Sequence, residues 1–188
     1  MKKIAIFASG GGTNAEAIMN HFEQTKDVEV VLILSNRKSA YVLERAKNHG
    51  VPTYVFSKSE LYDNPQTVVE VLKDYGVDFI ALAGFMCLVP KAITSGWAGR
   101  IVNIHPALLP KFAGQGMYGE NVHRAVVAAG ESESGITIHY VNDKYDDGDI
   151  IFQARCELSP TDTPEDVATK IHTLEQKNYA RVIEGLLR

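Results

Sequence analysis

Short apolar runs alternate with amphipathic stretches along most of the chain. Ile4-Ala5-Ile6-Phe7-Ala8 is continuous and apolar, the pattern of a strand buried on both faces. Residues 14–24 place Ala17, Ile18 and Phe22 on one side of a helix. Residues 28–34 predict a second buried strand, 40–48 a helix that Gly50 can end, and 52–56 a third strand. Residues 65–75 carry Val68, Val69 and Leu72 at helical spacing, and 78–83 and 100–105 predict strands four and five. Strands alternating with helices build βαβ units, hence a mostly parallel sheet with right-handed crossovers.

After residue 130 the pattern changes. Residues 134–142 alternate, with Ile136, Ile138 and Tyr140 against Thr137, His139 and Val141. A short acidic loop separates them from a second strand at 149–156, which predicts an antiparallel hairpin at the edge or end of the sheet. Thr163-Pro164-Glu165-Asp166 opens a last helix with a cap, a proline at the first helical position and acids in the first turn. Val167, Ile171, Leu174, Val182 and Leu186 are its expected core stripe. No repeat, low-complexity tract or linker interrupts the pattern, so the expectation is an α/β fold in a single domain, residues 1–188.

A chain of 188 residues hides roughly 70% of its unfolded surface, enough for a core without staples. Apolar residues at 45% and charged residues at 22% are ordinary globular proportions and exclude disorder, collagen or coiled coil as a whole-chain description. With 19 basic and 23 acidic residues and no basic run, broad binding to nucleic acid or an anionic membrane is not expected. Cys87 and Cys156 have no zinc or disulfide-framework spacing, which predicts a reducing compartment. The first residues resemble a signal peptide only briefly, because the apolar run ends at glycine; a strand fits better. No run approaches the ~20 residues of a membrane span, so a cytoplasmic location is expected.

Ser9-Gly10-Gly11-Gly12-Thr13-Asn14 stands between the first strand and the first helix. Glycines let the backbone approach an anion, and the helix N-terminus adds positive potential. The loose dinucleotide spacing is met, but Ser35-Asn36-Arg37 stands where a ribose-binding acid belongs. The lysine of a P-loop is also missing. The loop reads as a phosphate cradle for something other than NAD or ATP, or as a tight turn that needs glycine for geometry alone.

Asn103 and His105 lie two apart on a strand and so face one side. They sit at the carboxyl end of that strand, where open α/β sheets place ligands. An amide donor beside a histidine suits the oxyanion of an acyl transfer, although a strand-end histidine can also be structural. Residues 142–149 hold four carboxylates. Tyr145 and Ala154 occupy positions where an EF-hand would need ligands, so calcium is a poor reading. A solvated hairpin tip remains open, as does a carboxylate that orients the histidine. None of the six histidines has a metal-binding spacing such as H-E-x-x-H, and no metal is expected.

The strand–SGGGTN–helix, Leu82-Ala83-Gly84-Phe85-Met86, Asn103-Ile104-His105-Pro106-Ala107-Leu108-Leu109-Pro110 and the Asp-Gly of the hairpin loop resemble the glycinamide ribonucleotide (phosphoribosylglycinamide) formyltransferase family. The motifs follow that family's order from Lys3 to near the C-terminus. The resemblance implies a Rossmann-like formyltransferase fold. It also implies transfer of a formyl group from 10-formyltetrahydrofolate to the amine of glycinamide ribonucleotide, in purine biosynthesis. It implies that Gly12, Thr13 and Asn14 bind the phosphate and Glu175 the glycinamide end. Met86, Cys87, Leu88 and Val89, with the backbone of Asn142 and Asp143, would line the folate pocket. Asn103 would donate to the oxyanion, protonated His105 would act as the acid, and Asp146 would raise the histidine's pKa. The amine would attack directly, with no covalent enzyme intermediate. Cys87 stands where many members carry arginine, and Lys58 is the nearest cation to a missing upstream arginine. Residues 111–123 are longer than the usual link, which suggests a substrate lid hinged at Gly114, Gly116 and Gly119. A formyltetrahydrofolate hydrolase would use the same residues with water as acceptor, but usually adds an N-terminal domain. Methionyl-tRNA formyltransferase would need a further C-terminal domain and a basic surface. A phosphate-binding module would need no chemistry at all.

Overall fold

The computed structural model describes Met1–Arg188. In chain order its elements are β1 Lys2–Phe7, α1 Thr13–Phe22, β2 Val28–Ser35, α2 Val42–Asn48, β3 Thr53–Val55, α3 Lys58–Tyr62 and α4 Pro65–Asp74. They continue with β4 Phe79–Leu82, α5 Lys91–Gly96, β5 Ile101–His105, α6 Glu120–Ala128, β6 Glu133–Tyr140, β7 Ile150–Glu157 and α7 Pro164–Leu187. The strand order is β3-β2-β1-β4-β5-β6-β7. The chain divides into two compact units, Met1–Val102 and Asn103–Arg188.

In the first unit β1 pairs in parallel with β2 on one side and β4 on the other, and β2 pairs in parallel with β3. The run from Ile4 to Ala8 is fully buried, which explains its lack of polar alternation. Helix α1 begins at Thr13 and buries Ala15, Ile18, Met19 and Phe22, while Ala17 stays partly open. Two short helices, α3 and α5, fall in stretches too short for periodicity to announce. Helix α3 nevertheless carries a legible start: Glu60 N–H donates to the Ser57 hydroxyl, and Ser57 N–H to the Glu60 carboxylate.

In the second unit β6 and β7 form the expected antiparallel hairpin, from Glu133 opposite Glu157 to His139 opposite Ile150. Gly148 closes its loop so tightly that a Cβ there would lie 1.7 Å from the Tyr140 carbonyl oxygen. Helix α6 occupies the end of the segment read as a lid. Helix α7 starts as anticipated, with a reciprocal capping box between Thr163 and Asp166. Its core stripe differs from the expected one. Val167, Ile171, Glu175, Tyr179 and Ile183 are buried, whereas Leu174, Val182 and Leu186 lie at the margin. Apart from Ala180, which is also buried, the stripe runs every four residues, and an acid takes its central place. No helix is long and apolar enough to cross a membrane.

Candidate active site

The glycine loop crosses from β1 to α1 over the first turn of α2. Gly12 is the N-cap of α1, with φ 76. A Cβ there would sit 2.4 Å from Val42 Cγ2, so only glycine fits. Thr13 and Asn14 are the first two residues of the helix itself. No side chain caps α1, which leaves its N-terminal end suited to an external anion. Arg45 Nε donates to the Gly11 carbonyl at 2.8 Å and its guanidinium pairs with Glu16, which braces the loop from α2.

Residues 84–89 follow β4. Met86 N–H donates to Ser9 Oγ at 2.9 Å, and that hydroxyl donates to Asn36 Oδ1 at 2.6 Å. Arg37 reaches the Met86 sulfur at 3.7 Å. Met86 and Leu88 are half-buried, and Cys87 and Val89 are buried. Burial raises the Cys87 thiol, against the opposing charges of Lys58 and Arg37 and a bond with Tyr62. A thiol held neutral is a poor nucleophile. Arg37 is the cation that sequence reasoning overlooked here, because it comes from a turn 49 residues before its methionine contact.

In the second unit Asn103, His105 and Asp146 come together, and His139 joins them. Asp146 Oδ1 lies 3.5 Å from Asn103 Nδ2, 3.5 Å from His105 Nδ1 and 3.7 Å from His139 Nε2. Its other oxygen accepts Gly114 N–H at 3.1 Å. Asp146 has φ 50, a left-handed conformation that aspartate tolerates better than most residues. That bend turns its side chain inward, while Asp143, Asp147 and Asp149 stay exposed. Three of the four loop carboxylates are therefore a solvated tip. Asn142 organises the turn, accepting Lys144 N–H at 2.9 Å and donating to Asp147 at 3.3 Å.

His139 carried a usable signal. It shares a strand face with Thr137, two residues earlier, and both are buried. Its Nδ1 donates to the Tyr140 carbonyl at 2.8 Å, leaving Nε2 to accept from Asn103 Nδ2 at 3.1 Å. Thr137 ties down the chain after β5: it donates to the Ala107 carbonyl at 2.7 Å and accepts Leu109 N–H at 3.0 Å. The long Asn103–Asp146 contact is the weak one, and a substrate oxyanion could replace it.

The electrostatics differ in part from the expectation. Burial pulls His105 below its ordinary value and outweighs the Asp146 carboxylate and the Phe112 carbonyl, which pull it upward; His139 pulls it down further. Asp146 thus pulls the histidine upward, the expected direction, but against burial. Burial pushes Asp146 upward, but the adjacent His139 ring, the His105 charge and Gly114 N–H together hold the carboxyl below its usual range. Glu175 is buried on α7. Burial and the Glu175 charge push the Tyr179 phenol well above its ordinary value.

Residues 2–183 match the family described as formyl transferase. The chain is 41% identical over 190 residues to the chloroplastic phosphoribosylglycinamide formyltransferase of Arabidopsis thaliana, covering 98% of this chain and 65% of that one. It thus spans less than two thirds of the length of the plant relatives, 65% and 61%. It is 39% identical over 192 residues to the phosphoribosylglycinamide formyltransferase of Bacillus subtilis (strain 168), covering 100% of this chain and 95% of the relative. The crystal structure of the phosphoribosylglycinamide formyltransferase from Streptococcus pneumoniae TIGR4 superposes with a TM-score of 0.89 at 38% identity, covering 100% of both chains. That of glycinamide ribonucleotide transformylase 1 from Geobacillus kaustophilus gives 0.91 at 36%, also over 100% of both. A match running through both units, joined to a fold shared along the whole chain, makes this protein a member of the formyl transferase family.

Proposed function

We propose that the chain transfers the formyl group of 10-formyltetrahydrofolate to the amine of N1-(5-phospho-D-ribosyl)glycinamide, a step of de novo purine biosynthesis, and that residues 1–188 act as one formyltransferase domain. Family membership and the relatives' names support the reaction class. The observation that carries the chemistry is the gathering of Asn103, His105 and His139 around the Asp146 carboxylate. Gly12, Thr13 and Asn14 hold the substrate phosphate, and Glu175 receives its cationic glycinamide end. Met86, Cys87, Leu88 and Val89 are assigned to the folate, as is the backbone of Asn142 and Asp143.

The amine attacks the formyl carbon, and the carbonyl oxygen becomes an oxyanion. Asn103 Nδ2 donates to that oxygen in exchange for its long contact with Asp146. Protonated His105 stabilises the same oxyanion beside the ionised Asp146, and the proton moves from the amine to the leaving nitrogen through His105, Asp146 or an ordered water. The scheme uses no metal and no covalent intermediate. Cys87 and Cys156 are both free thiols, which fits a reducing compartment such as the cytoplasm.

The test is tetrahydrofolate release from 10-formyltetrahydrofolate, with and without the ribonucleotide, in wild type and His105→Ala. Release should require the ribonucleotide and fall by on the order of 100-fold or more in the variant. Equal release without the amine would make water the acceptor and the protein a hydrolase. Undiminished turnover in the variant would remove His105 from the chemistry.

A further inference from the structure

Three successive carbonyls of the glycine loop are taken up by donors of the chain itself. The Gly10 carbonyl accepts Val42 N–H at 3.1 Å, the Gly11 carbonyl accepts Arg45 Nε at 2.8 Å, and the Gly12 carbonyl accepts Glu16 N–H at 2.9 Å. The first two donors belong to α2. Val42 N–H is one of the amides that the first turn of α2 leaves without a helical partner, and Arg45 stands one turn further on. The peptides of the loop are trans. In a planar trans peptide the N–H of one residue points opposite to the C=O of the residue before it. Drawing the Gly10 and Gly11 carbonyls toward α2 therefore turns the Gly11 and Gly12 N–H groups away from α2. The bond to Glu16 turns Thr13 N–H out of the start of α1 in the same way. Three consecutive N–H groups are thus free to face an anion, and none of the three carbonyls is left to repel it.

The hold on Gly10 comes from backbone, but the hold on Gly11 comes from one side chain. That side chain is itself fixed: the Arg45 guanidinium pairs with Glu16 and lies over the Tyr41 ring, 5.0 Å from its centroid. The Glu16 carboxylate offsets the Arg45 charge, so Arg45 gives the loop direction rather than net positive charge. We propose that Arg45 is a positioning residue for the substrate phosphate: by holding the Gly11 carbonyl it aims the Gly12 N–H at the anion, and it acts through that peptide rather than through its charge. The inference rests on the reading of this loop as the cradle of the substrate phosphate.

Two substitutions separate direction from charge. Arg45→Gln sets an amide nitrogen at the same number of bonds from the backbone as Nε, so it keeps the donor to Gly11 and removes the charge. Arg45→Met keeps the length and removes both. The probe is inorganic phosphate, titrated into ¹⁵N-labelled protein and followed by NMR at the Gly11 and Gly12 amides, which requires no turnover. Those amides should shift in wild type and in Arg45→Gln, with Kd values within about threefold of each other. In Arg45→Met Kd should rise by on the order of tenfold. KM for the ribonucleotide should rise by the same factor in Arg45→Met, with kcat and the KM for 10-formyltetrahydrofolate within about twofold of wild type. The ribonucleoside lacking the phosphate should react equally well with both proteins, a comparison that general damage to α2 would upset. Phosphate binding as weak in Arg45→Gln as in Arg45→Met would assign the effect to charge and overturn the proposal. Unchanged affinity in Arg45→Met, or wild-type amides that ignore phosphate, would overturn it too. If Arg45→Met does not fold, Arg45→Gln decides: a tenfold loss overturns the proposal, and retained binding supports it. A protein that shows these shifts without ribonucleotide-dependent formyl release would lose the formyl-transfer reading and keep the role of Arg45.

Discussion

Glu175 occupies a place in α7 where four-residue spacing would otherwise put an aliphatic side chain, between Ile171 and Tyr179. Acids are rarely buried without a task, and a carboxylate suits a cationic amine. Glu175→Gln keeps the shape and removes the charge. KM for the ribonucleotide should rise by on the order of tenfold, with kcat and the KM for folate nearly unchanged, the signature of lost ground-state binding. Steady-state kinetics with each substrate varied would check this. A loss confined to kcat would place Glu175 in the chemistry instead. At His105 desolvation of the ring outweighs the attraction of Asp146.

At the scale of elements, the junction of β1 and α1 depends on one residue. Gly12 combines a left-handed φ of 76 with Val42 atoms where a Cβ would be. The nearest of them include the Val42 Cα, which cannot swing aside. Gly12→Ala should therefore destabilise the fold by about 1–3 kcal/mol through strain and overpacking. It should also raise KM for the ribonucleotide, because the α1 N-terminus shifts. Urea denaturation measures the first effect and kinetics the second. Unchanged stability would mean that α2 yields more easily than its packing implies. The loop before α6 is held differently: the Phe112 carbonyl accepts from His105, and Gly114 N–H donates to Asp146.

For the whole molecule the titrating groups predict a direction of acid sensitivity. His105 and His123 are both pulled below their ordinary values, chiefly by burial. The unfolded chain therefore binds their protons more readily, and stability falls as pH drops from about 6.5 toward their folded values. Asp146 is also held low. Its contribution is present above the unfolded value of about 3.9 and lost as pH falls through the folded one. All three lie in the Asn103–Arg188 unit. Melting temperatures should be flat above about pH 7 and decline below about 6.5. His123→Asn should make the first part of that decline shallower. A protein that grows more stable between about pH 7 and 5 would contradict the assigned shifts.

Local pattern was enough for the βαβ alternation, the terminal hairpin, the start of α7 and the glycine loop, because apolar spacing and capping residues act over a few neighbours. Asn103 and His105 were legible together for the same reason, being two apart on one strand. The short helices α3 and α5 were not, since five or six residues carry too little periodicity, and the acid at the centre of α7's stripe broke the expected apolar sequence. The partners of the site lay further out of reach. Asp146 meets Asn103 across 43 residues, His139 meets it across 36, and Arg37 meets Met86 across 49. Such meetings depend on how strands pair and loops close, and no local pattern encodes them. The protonation of His105 belongs to the same class. Residue type offered a histidine near a carboxylate, but only the folded environment decides whether burial or attraction wins, because desolvation is set by everything packed around the ring.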